Sequence, residues 1–266
     1  MPVAAEVTTR LRRSGCVAAE REASALLRQF AEPGSLEVAV RRREAGEPLE
    51  HVLGSAELAG VRVAVAPPVF VPRARTEWLV GHAVELVRQR QPRGRAGPPV
   101  LDLGCGSGAI AAVLASRLPE AEVLATDIDP AAVACASVNG ASFGFAAFRS
   151  DWLRDLPDRV RGRLGLVVAY LPHVPTDDLP LLPKDNRRAE RTLAVHGGPD
   201  GLDPLRVVLD QLDVWLAADG VMLTLLAERQ LPAAADVAAA GGWSVATRVR
   251  AGDALLEIGR PVEAGP

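Results

Sequence analysis

Cysteine is scarce in this sequence, and the few cysteines are not arranged for cross-linking. The 266 residues include three, Cys16, Cys105 and Cys135, an odd number at wide spacing with no CxxC pair. This pattern favours neither a disulfide framework nor a zinc site, so we expect no bound metal. It is typical of a protein that stays in a reducing compartment.

Long apolar runs and an excess of one charge are also missing. No stretch reaches the roughly 18 apolar residues that span a bilayer, and the first residues, MPVAAEVTTRLRRSG, lack the apolar centre of a signal peptide. The 30 basic and 33 acidic residues leave a net charge of −3, which does not favour nucleic acid or an anionic membrane as a partner. We therefore expect a cytoplasmic protein that binds neither membranes nor nucleic acid directly.

The pattern of apolar residues divides the chain into three parts. Over the first 44 residues they recur at spacings of three and four, with breaks near Gly15 and at Pro33 and Gly34, which predicts three short helices. Alternating valines after residue 60 then indicate a hairpin or an extended linker. We predict an N-terminal helical domain at 1–48, a hairpin linker at 49–75 and a larger domain at 76–266.

Further along the chain the pattern changes to strands that alternate with helices. We predict strands at 99–103, 122–126, 144–148, 164–170, 220–226, 242–248 and 254–259. The predicted helices lie at 76–90, 108–117, 130–139, 202–217 and 230–240. Because parallel strands need crossover connections, the alternation predicts an α/β fold with a mainly parallel, seven-stranded sheet covered on both faces.

The segment VLDLGCGSGAIAAVLA has the features of a ligand-binding turn between a buried strand and a helix. Gly104, Gly106 and Gly108 allow a tight turn and a close approach of the backbone to a ligand, next to the free N–H groups of the helix start. The acid that ends the next strand, Asp127, stands where a carboxylate meets the two hydroxyls of a ribose. Together these residues indicate a ligand that contains a nucleoside.

Two further observations bear on which nucleoside is bound. The pyrophosphate of a dinucleotide favours GxGxxG and an open helix end, whereas the amino group of S-adenosylmethionine favours a carboxylate such as Asp102. In FRSDWL, Asp151 and Trp152 offer an acceptor for the adenine amine and an indole to cover its face. These residues favour S-adenosylmethionine, although glycine-rich turns also occur in dinucleotide sites.

Taken together, these residues resemble class I S-adenosylmethionine-dependent methyltransferases, which have a Rossmann-like sheet. More narrowly, the chain looks like the HemK/PrmC family of protein-(glutamine-N5) methyltransferases, which modify the GGQ motif of peptide chain release factors. EPLEHVLGSAELAGVRVAV and VFVPRARTEWLV are similar to the family's linker hairpin and its PRPxTE segment, and SDWL and GGPDGLDPLR to later motifs. The resemblance implies S-adenosyl-L-methionine as cofactor and a small N-terminal helical domain joined by a hairpin to the sheet.

The cofactor contacts expected from the motifs and the resemblance follow the first four strands. They are Asp102, Gly104, Cys105, Gly106, Ser107, Gly108, Asp127, Ile128, Asp151, Trp152 and Tyr170. The last of them stands in VVAYLPHVP, where the chain departs from the family.

That segment replaces the family's acceptor motif. The family has NPPY where this chain has YLPH at 170–173, and the tyrosine is the only one in the chain. Two other polar positions also differ: His196 replaces the acid of LDGG, and Leu225 replaces the glutamate of LLLE. Because three positions around one expected pocket have changed, we predict a changed acceptor.

The altered residues favour a different acceptor chemistry. A carboxamide is oriented by a planar donor and acceptor pair, which Tyr170 does not provide, and Leu171 removes a ring that fixes the loop. His173, with an unperturbed pKa of about 6.5, is a candidate general base for a hydroxyl, phenol or amine, which Tyr170 would orient. Alternatively, Tyr170 only caps the sheet and His173 lies on an exposed loop. The expected catalytic residues are Tyr170, Pro172 and His173, and the expected substrate contacts are Tyr170, Leu171, Pro172, His173 and His196.

Four functional hypotheses remain. The favoured one is a methyltransferase acting on a small metabolite or a side chain other than glutamine, since the cofactor motifs are intact and the acceptor motif is changed. The second is a divergent enzyme that still methylates release-factor glutamine through backbone carbonyls. The others are a cofactor-binding protein without methyl transfer and a fold in which the sulfonium assists another reaction. The segment 175–191, charged and rich in proline, is either a lid over the acceptor or a solvated loop.

Overall fold

The structure is a computed structural model that describes residues 2–90, 97–182 and 192–261. Its N-terminal part is helical, with α1 at Pro2–Arg13, α2 at Ala19–Gln29, α3 at Pro33–Glu44 and α4 at Leu49–Leu53. The first three correspond to the helices predicted from the apolar spacing. The fourth is a correction, because it lies in the segment predicted to be a hairpin or an extended linker.

A small apolar core holds these four helices together. Buried side chains from each of them meet in it, including Leu11 and Leu26. The fourth helix forms because one helical turn brings Val52 into this core while Leu49 and Leu53 pack beside it. Three apolar residues in a five-residue segment were too few to show helical spacing in the sequence.

A short hairpin follows, with β1 at Ser55–Leu58 and β2 at Val61–Ala64 paired antiparallel. Its two-residue turn has positive φ at both Ala59 and Gly60, 49° and 80°, a combination that matches the twist of the strands. Residues 65–75, which we call the strap, form turns and extended segments with no helix or strand. The predicted linker is therefore a helix, a hairpin and the strap in succession.

The rest of the chain is built around a seven-stranded sheet. Its strands are β3 Val100–Leu103, β4 Val123–Asp127, β5 Ala146–Arg149, β6 Leu164–Ala169, β7 Leu216–Ala227, β8 Ser244–Arg250 and β9 Asp253–Gly259. They lie in the order β5-β4-β3-β6-β7-β9-β8, with β9 antiparallel to both neighbours and the other pairs parallel. The predicted α/β fold with a mainly parallel, seven-stranded sheet is confirmed.

Helices cover both faces of this sheet. On one face pack α5 Thr76–Arg90, α6 Ala109–Arg117 and α7 Pro130–Phe143, and on the other α8 Asp203–Leu212 and α9 Leu231–Ala240. An apolar core fills each side, as helical crossovers between parallel strands require. The eighth helix ends at Leu212 rather than at 217, because β7 already pairs through Leu216 with Leu164 before a bulge. None of the described helices combines the length and apolarity needed to cross a lipid bilayer.

The strand order fixes where a ligand binds. The crossover from β3 leads to β4 on one side, and β6 lies against β3 on the other side. In open α/β sheets, ligands bind at the carboxyl ends of the strands beside such a reversal. The predicted site residues follow β3, β4, β5 and β6, so the sheet brings them to one edge.

We predict that Leu26→Ala weakens the N-terminal helical core and leaves the sheet unaffected. Leu26 is fully buried in α2, and truncating such a side chain costs about 2–5 kcal/mol. All four tryptophans lie at position 78 or later, so tryptophan fluorescence during urea unfolding reports the larger unit, whereas circular dichroism reports both units. The first transition seen by circular dichroism should therefore shift to lower urea, and the fluorescence midpoint should not.

The matched control is Val38→Ala on the exposed side of α3, where the side chain is 59% accessible. The division of the chain near residue 48 stays a prediction, and this experiment tests it. An equal shift of both signals in Leu26→Ala would show that the helices and the sheet unfold as one unit.

Candidate active site

The glycine-rich turn after β3 requires glycine for steric reasons. Gly106 and Gly108 have φ of 54° and 75°, in the left-handed region that other residues avoid. A Cβ on Gly108 would also lie 2.8 Å from a ring carbon of Phe145 and 3.1 Å from the Cβ of Ala136. The turn therefore packs directly on α7 and on Phe145 just beyond it, and the other side of the turn lines a cavity.

Asp127, at the end of β4, is joined to this turn by a hydrogen bond. Its carboxylate accepts from the N–H of Gly106 at 2.9 Å and from the N–H of Asp129 at 2.9 Å. Burial raises its pKa, while bonds from the backbone N–H groups of Asp129, Gly106 and Ile128 oppose that rise. A carboxylate has about four acceptor sites, so Asp127 can still accept from a ligand hydroxyl in the cavity that it lines.

Asp102, near the end of β3, was expected to face the amino group of a ligand, but its carboxylate lies inside the protein. It is almost completely buried, and its carboxylate accepts from the N–H of Ala111 in the first turn of α6 at 2.9 Å. Burial is the main cause that raises its pKa to about 7, and the charge of Asp127 raises it further. Asp102 does not line the cavity, so its role toward an amino group stays a prediction.

Trp152, after β5, lines the same cavity from the other side. Its backbone has φ of 55°, an unfavourable conformation for a bulky residue, and the hydroxyl of Ser150 donates to its carbonyl at 2.7 Å. Ser150 thus helps to hold a strained turn that presents the indole to the cavity. The neighbouring Asp151 pairs with Arg154 instead, and it does not line the cavity.

The strap forms the cavity wall that faces these turns. Pro68, Val69, Phe70, Pro72 and Arg73 all line it. These residues were not assigned to the site from the sequence, although VFVPR belongs to a segment that matches the family. Nothing in the sequence indicated them, because the strap has no periodic pattern and reaches the cavity only by tertiary packing.

The chemistry of this cofactor cavity fits a nucleoside with a sulfonium group. Asp127 offers a carboxylate, Ile128 and Trp152 offer apolar surface, and Cys105 lines the cavity at the glycine turn. Burial raises the pKa of the Cys105 thiol well above its ordinary value, so it contributes an uncharged wall. Within the described residues, the buried hydroxyls of Ser107 and Thr126 have no hydrogen-bond partner, although both residues line the cavity.

A second cavity of about 590 Å³ adjoins the first, and we call it the acceptor cleft. The two cavities share the wall residues Phe70, Arg73, Tyr170, Pro172 and Ala194. Among the described residues, no carboxylate side chain lines the acceptor cleft. The two cavities are therefore neighbours, separated only by this shared wall.

Residues 170–176, which we call the acceptor loop, form one side of the acceptor cleft. The rings of Tyr170 and His173 meet edge to face with centroids 5.4 Å apart, and Tyr170 also lies 6.2 Å from the ring of Phe70. Leu171 is buried, with 5% of its surface exposed, and Pro172 is half-buried on the shared wall. The structure thus brings four predicted residues together at one cleft.

A hydrogen bond to the backbone selects one tautomer of the His173 imidazole. Its Nδ1 lies 2.8 Å from the carbonyl oxygen of Leu171, which can only accept, so Nδ1 carries the hydrogen. Burial lowers the pKa of His173, the bond to Leu171 opposes this, and the charges of Arg75 and Arg229 lower it further. The imidazole is therefore neutral at pH 7, and Nε2 keeps a lone pair with no partner in the described part of the chain.

His196 lies beside the acceptor loop and outside both cavities. Its Nε2 bonds the hydroxyl of Thr176 at 2.9 Å, and its backbone bridges to Val174. The predicted substrate contact of His196 stays a prediction, because its ring bonds within the protein. Of the segment 175–191, Leu179 and Leu182 line the acceptor cleft, while residues 183–191 lie outside the described residues.

Comparison with known proteins identifies the family. A family described as a methyltransferase domain matches residues 100–191. The release factor glutamine methyltransferase of Moorella thermoacetica is 38% identical over 205 residues, which cover 77% of this chain and 70% of that protein. The protein of the same name from Deinococcus radiodurans is 34% identical over 209 residues, 79% of this chain and 72% of that protein. The chain belongs to the release factor glutamine methyltransferase family.

A solved structure agrees on the fold of this family member. The 16S rRNA N2 G1207 methyltransferase of T. thermophilus, in complex with AdoMet and guanosine, superposes with a TM-score of 0.54 at 19% identity. The match covers 78% of this chain and 50% of that one. The protein is an S-adenosylmethionine-dependent methyltransferase, which confirms S-adenosylmethionine rather than a dinucleotide as the cofactor.

We predict that Asp102→Asn changes how stability depends on pH. The folded-state pKa of about 7 lies above the ordinary value of 3.8, so the folded protein binds this proton more tightly than the unfolded chain does. The wild type should therefore lose unfolding free energy as pH rises from about 4 to about 7, at no more than about 1.4 kcal/mol per pH unit. Asparagine keeps an oxygen that accepts from Ala111 but cannot ionise, so this loss should be absent in the variant.

The measurement is urea unfolding of both proteins at a series of pH values, without cofactor. The variant should gain stability relative to the wild type up to about pH 7, and the difference should be constant above it. Parallel curves for the two proteins over this range would contradict the account of Asp102.

Proposed function

We propose that this methyltransferase acts on an acceptor other than glutamine, namely a hydroxyl, phenol or amine that loses a proton when it is methylated. The acceptor belongs to a small metabolite or to another kind of side chain. The observation that carries the proposal is His173, a neutral imidazole on the acceptor cleft whose Nε2 lone pair is free among the described residues. A general base in this position suits a nucleophile that must be deprotonated.

The division of roles follows from the two cavities. S-adenosylmethionine supplies an electrophilic methyl group on its sulfonium. Tyr170 and Pro172 line both cavities, so they would position the acceptor at the junction where its lone pair faces that methyl group. As the acceptor forms its new bond to carbon and the carbon–sulfur bond breaks, His173 would take the acceptor's proton on Nε2.

Tyr170 supports the same proposal, because its hydroxyl could orient the acceptor. Its phenol can donate one hydrogen bond and accept others, which suits a hydroxyl or an amine. It does not offer the planar pair of groups that holds a carboxamide. The edge contact brings the rings of Tyr170 and His173 together on the acceptor cleft, so both would reach the same acceptor.

Methylation of release-factor glutamine is the second candidate, and the names of the relatives favour it. In this chain it would require backbone carbonyls of the acceptor loop to bind the glutamine amide. The carbonyl of Leu171 already accepts from His173, and the carbonyl of His173 accepts from Gln230 at 2.9 Å. Because each oxygen already accepts one bond within the protein, it has only one lone pair left for an amide, which makes the loop a weaker site for glutamine.

We predict that His173→Ala reduces methyl transfer by roughly 100-fold or more, the usual contribution of a general base. Tyr170→Phe should reduce it less, because only a hydroxyl is lost. The assay measures labelled methyl transferred from the cofactor into the metabolite and protein fractions of a lysate, with cofactor affinity measured separately by calorimetry. That affinity should stay within a few-fold of the wild type.

The control is His82→Ala, because His82 contacts Glu257 away from both cavities. The wild-type rate should rise with pH through a pKa below 6.5 and be constant above it, since the neutral imidazole is the active form. An equal loss of cofactor binding and turnover in His173→Ala would make this residue structural and would contradict its role as base.

We also predict that rebuilding the family motif restores glutamine methylation. The combined change Tyr170→Asn, Leu171→Pro and His173→Tyr gives NPPY at 170–173. Mass spectrometry of a release factor incubated with enzyme in excess should find methylated glutamine in its GGQ motif with this variant and none with the wild type. Glutamine methylation by the wild type would support the second candidate instead.

A further inference from the structure

We infer that Gln230 is a positioning residue that fixes the acceptor loop by donating a hydrogen bond to the carbonyl of His173. The inference rests on the proposed function, since it takes His173 as the base. Gln230 does not line the cofactor cavity or the acceptor cleft, so it acts through the loop and makes no substrate contact of its own.

The side chain of Gln230 is buried, with 6% of its surface exposed, and it joins three separate segments. Its Nε2 donates to the carbonyl of His173 at 2.9 Å and to the carbonyl of Asp200 at 3.1 Å. Its Oε1 accepts from the N–H of Ala227, at the end of β7, at 3.3 Å. Both hydrogens and the oxygen of the amide are therefore used.

These partners allow only one orientation of the amide and exclude most other side chains. A flipped amide would place its oxygen against two carbonyl oxygens and its nitrogen against an N–H. Glutamate at this position would keep the bond to Ala227 but lose both donors. Methionine, of similar length, would lose all three bonds and leave the carbonyls of His173 and Asp200 without this donor.

Gly201 shows how closely these segments pack. It has φ of 80°, and a Cβ on it would lie 2.3 Å from the carbonyl oxygen of His173 and 2.4 Å from Nε2 of Gln230. Any side chain at this position would push the loop away from the amide. The absence of a side chain at Gly201 is therefore a condition for the contact between Gln230 and His173.

Further along, backbone hydrogen bonds hold the acceptor loop together with the side-chain bond between Thr176 and His196. The N–H of Val174 donates to Val195 and the N–H of Thr176 donates to Gly198, each at 2.9 Å. Gln230 anchors the loop just before these bonds. Since the imidazole is oriented by its own bond to the carbonyl of Leu171, fixing the backbone of His173 also fixes where Nε2 points.

The test compares Gln230→Met and Gln230→Glu with the wild type. Both variants should speed amide hydrogen exchange at Val174 and Thr176 by 10-fold or more, because both lose the donor to His173. In an NMR titration of the imidazole, the midpoint of His173 should move up toward 6.5 as the loosened ring meets water, although Arg75 and Arg229 remain close. Cofactor affinity should stay within threefold.

The matched control is Gln211→Met. Gln211 lies near the end of α8 and accepts from the N–H of Leu153, so its loss should change neither readout. If Gln230→Glu behaves like the wild type while Gln230→Met does not, only the bond to Ala227 matters and the inference is wrong. Unchanged exchange in both variants, or faster exchange throughout the sheet, would also overturn it.

These readouts do not involve an acceptor, so they separate this inference from the proposed function. A glutamine acceptor found for the wild type would contradict the proposed function and leave the exchange results intact. Conversely, a loop unaffected by the loss of Gln230 would overturn the positioning role whatever the acceptor is.

Discussion

Parallel pairing of β3 with β4 on one side and β6 on the other is the constraint on which the site depends. Leu103, the last residue of β3, is opposite both Thr126 of β4 and Ala169 of β6. The residues that follow directly in each chain segment, including Asp127 and Tyr170, are therefore neighbours at one edge. A cofactor cavity and an acceptor cleft with a shared wall result from this register.

Hydrogen bonds within the protein then decide what the site offers to a substrate. The carbonyls of Leu171 and His173 accept from an imidazole and from the buried amide of Gln230, and on the proposed function the loop would present Nε2 of His173 to the acceptor. At the cofactor side, Asp102 and Ser150 similarly support the turns that they touch. On the proposed function, different groups would bind the cofactor and select the acceptor, so that one set can change while the other is kept.

The parts of the fold that follow from local pattern were predictable from the sequence. The buried strands, the helices between them and the glycine turn all have periodic or steric signals, and their order matched the structure. The helix at Leu49–Leu53 was missed because it is too short to show a period. The sequence did not indicate that the strap lines the cofactor cavity or that Gln230 bonds to the acceptor loop. Both depend on contacts between residues far apart in the chain. The hydrogen bonds of Asp102 to Ala111 and of His196 to Thr176 also had no signal in the sequence, and the predicted ligand contacts of both residues stay predictions.

If the acceptor has changed as we propose, the identity of the methylated product will show it. Purified protein is given cofactor with a labelled methyl group and a lysate of its own cell, and the labelled products are separated and analysed. We expect label on an oxygen or amine nitrogen, in small molecules or in a side chain other than glutamine. Label confined to the glutamine of a release factor would contradict it.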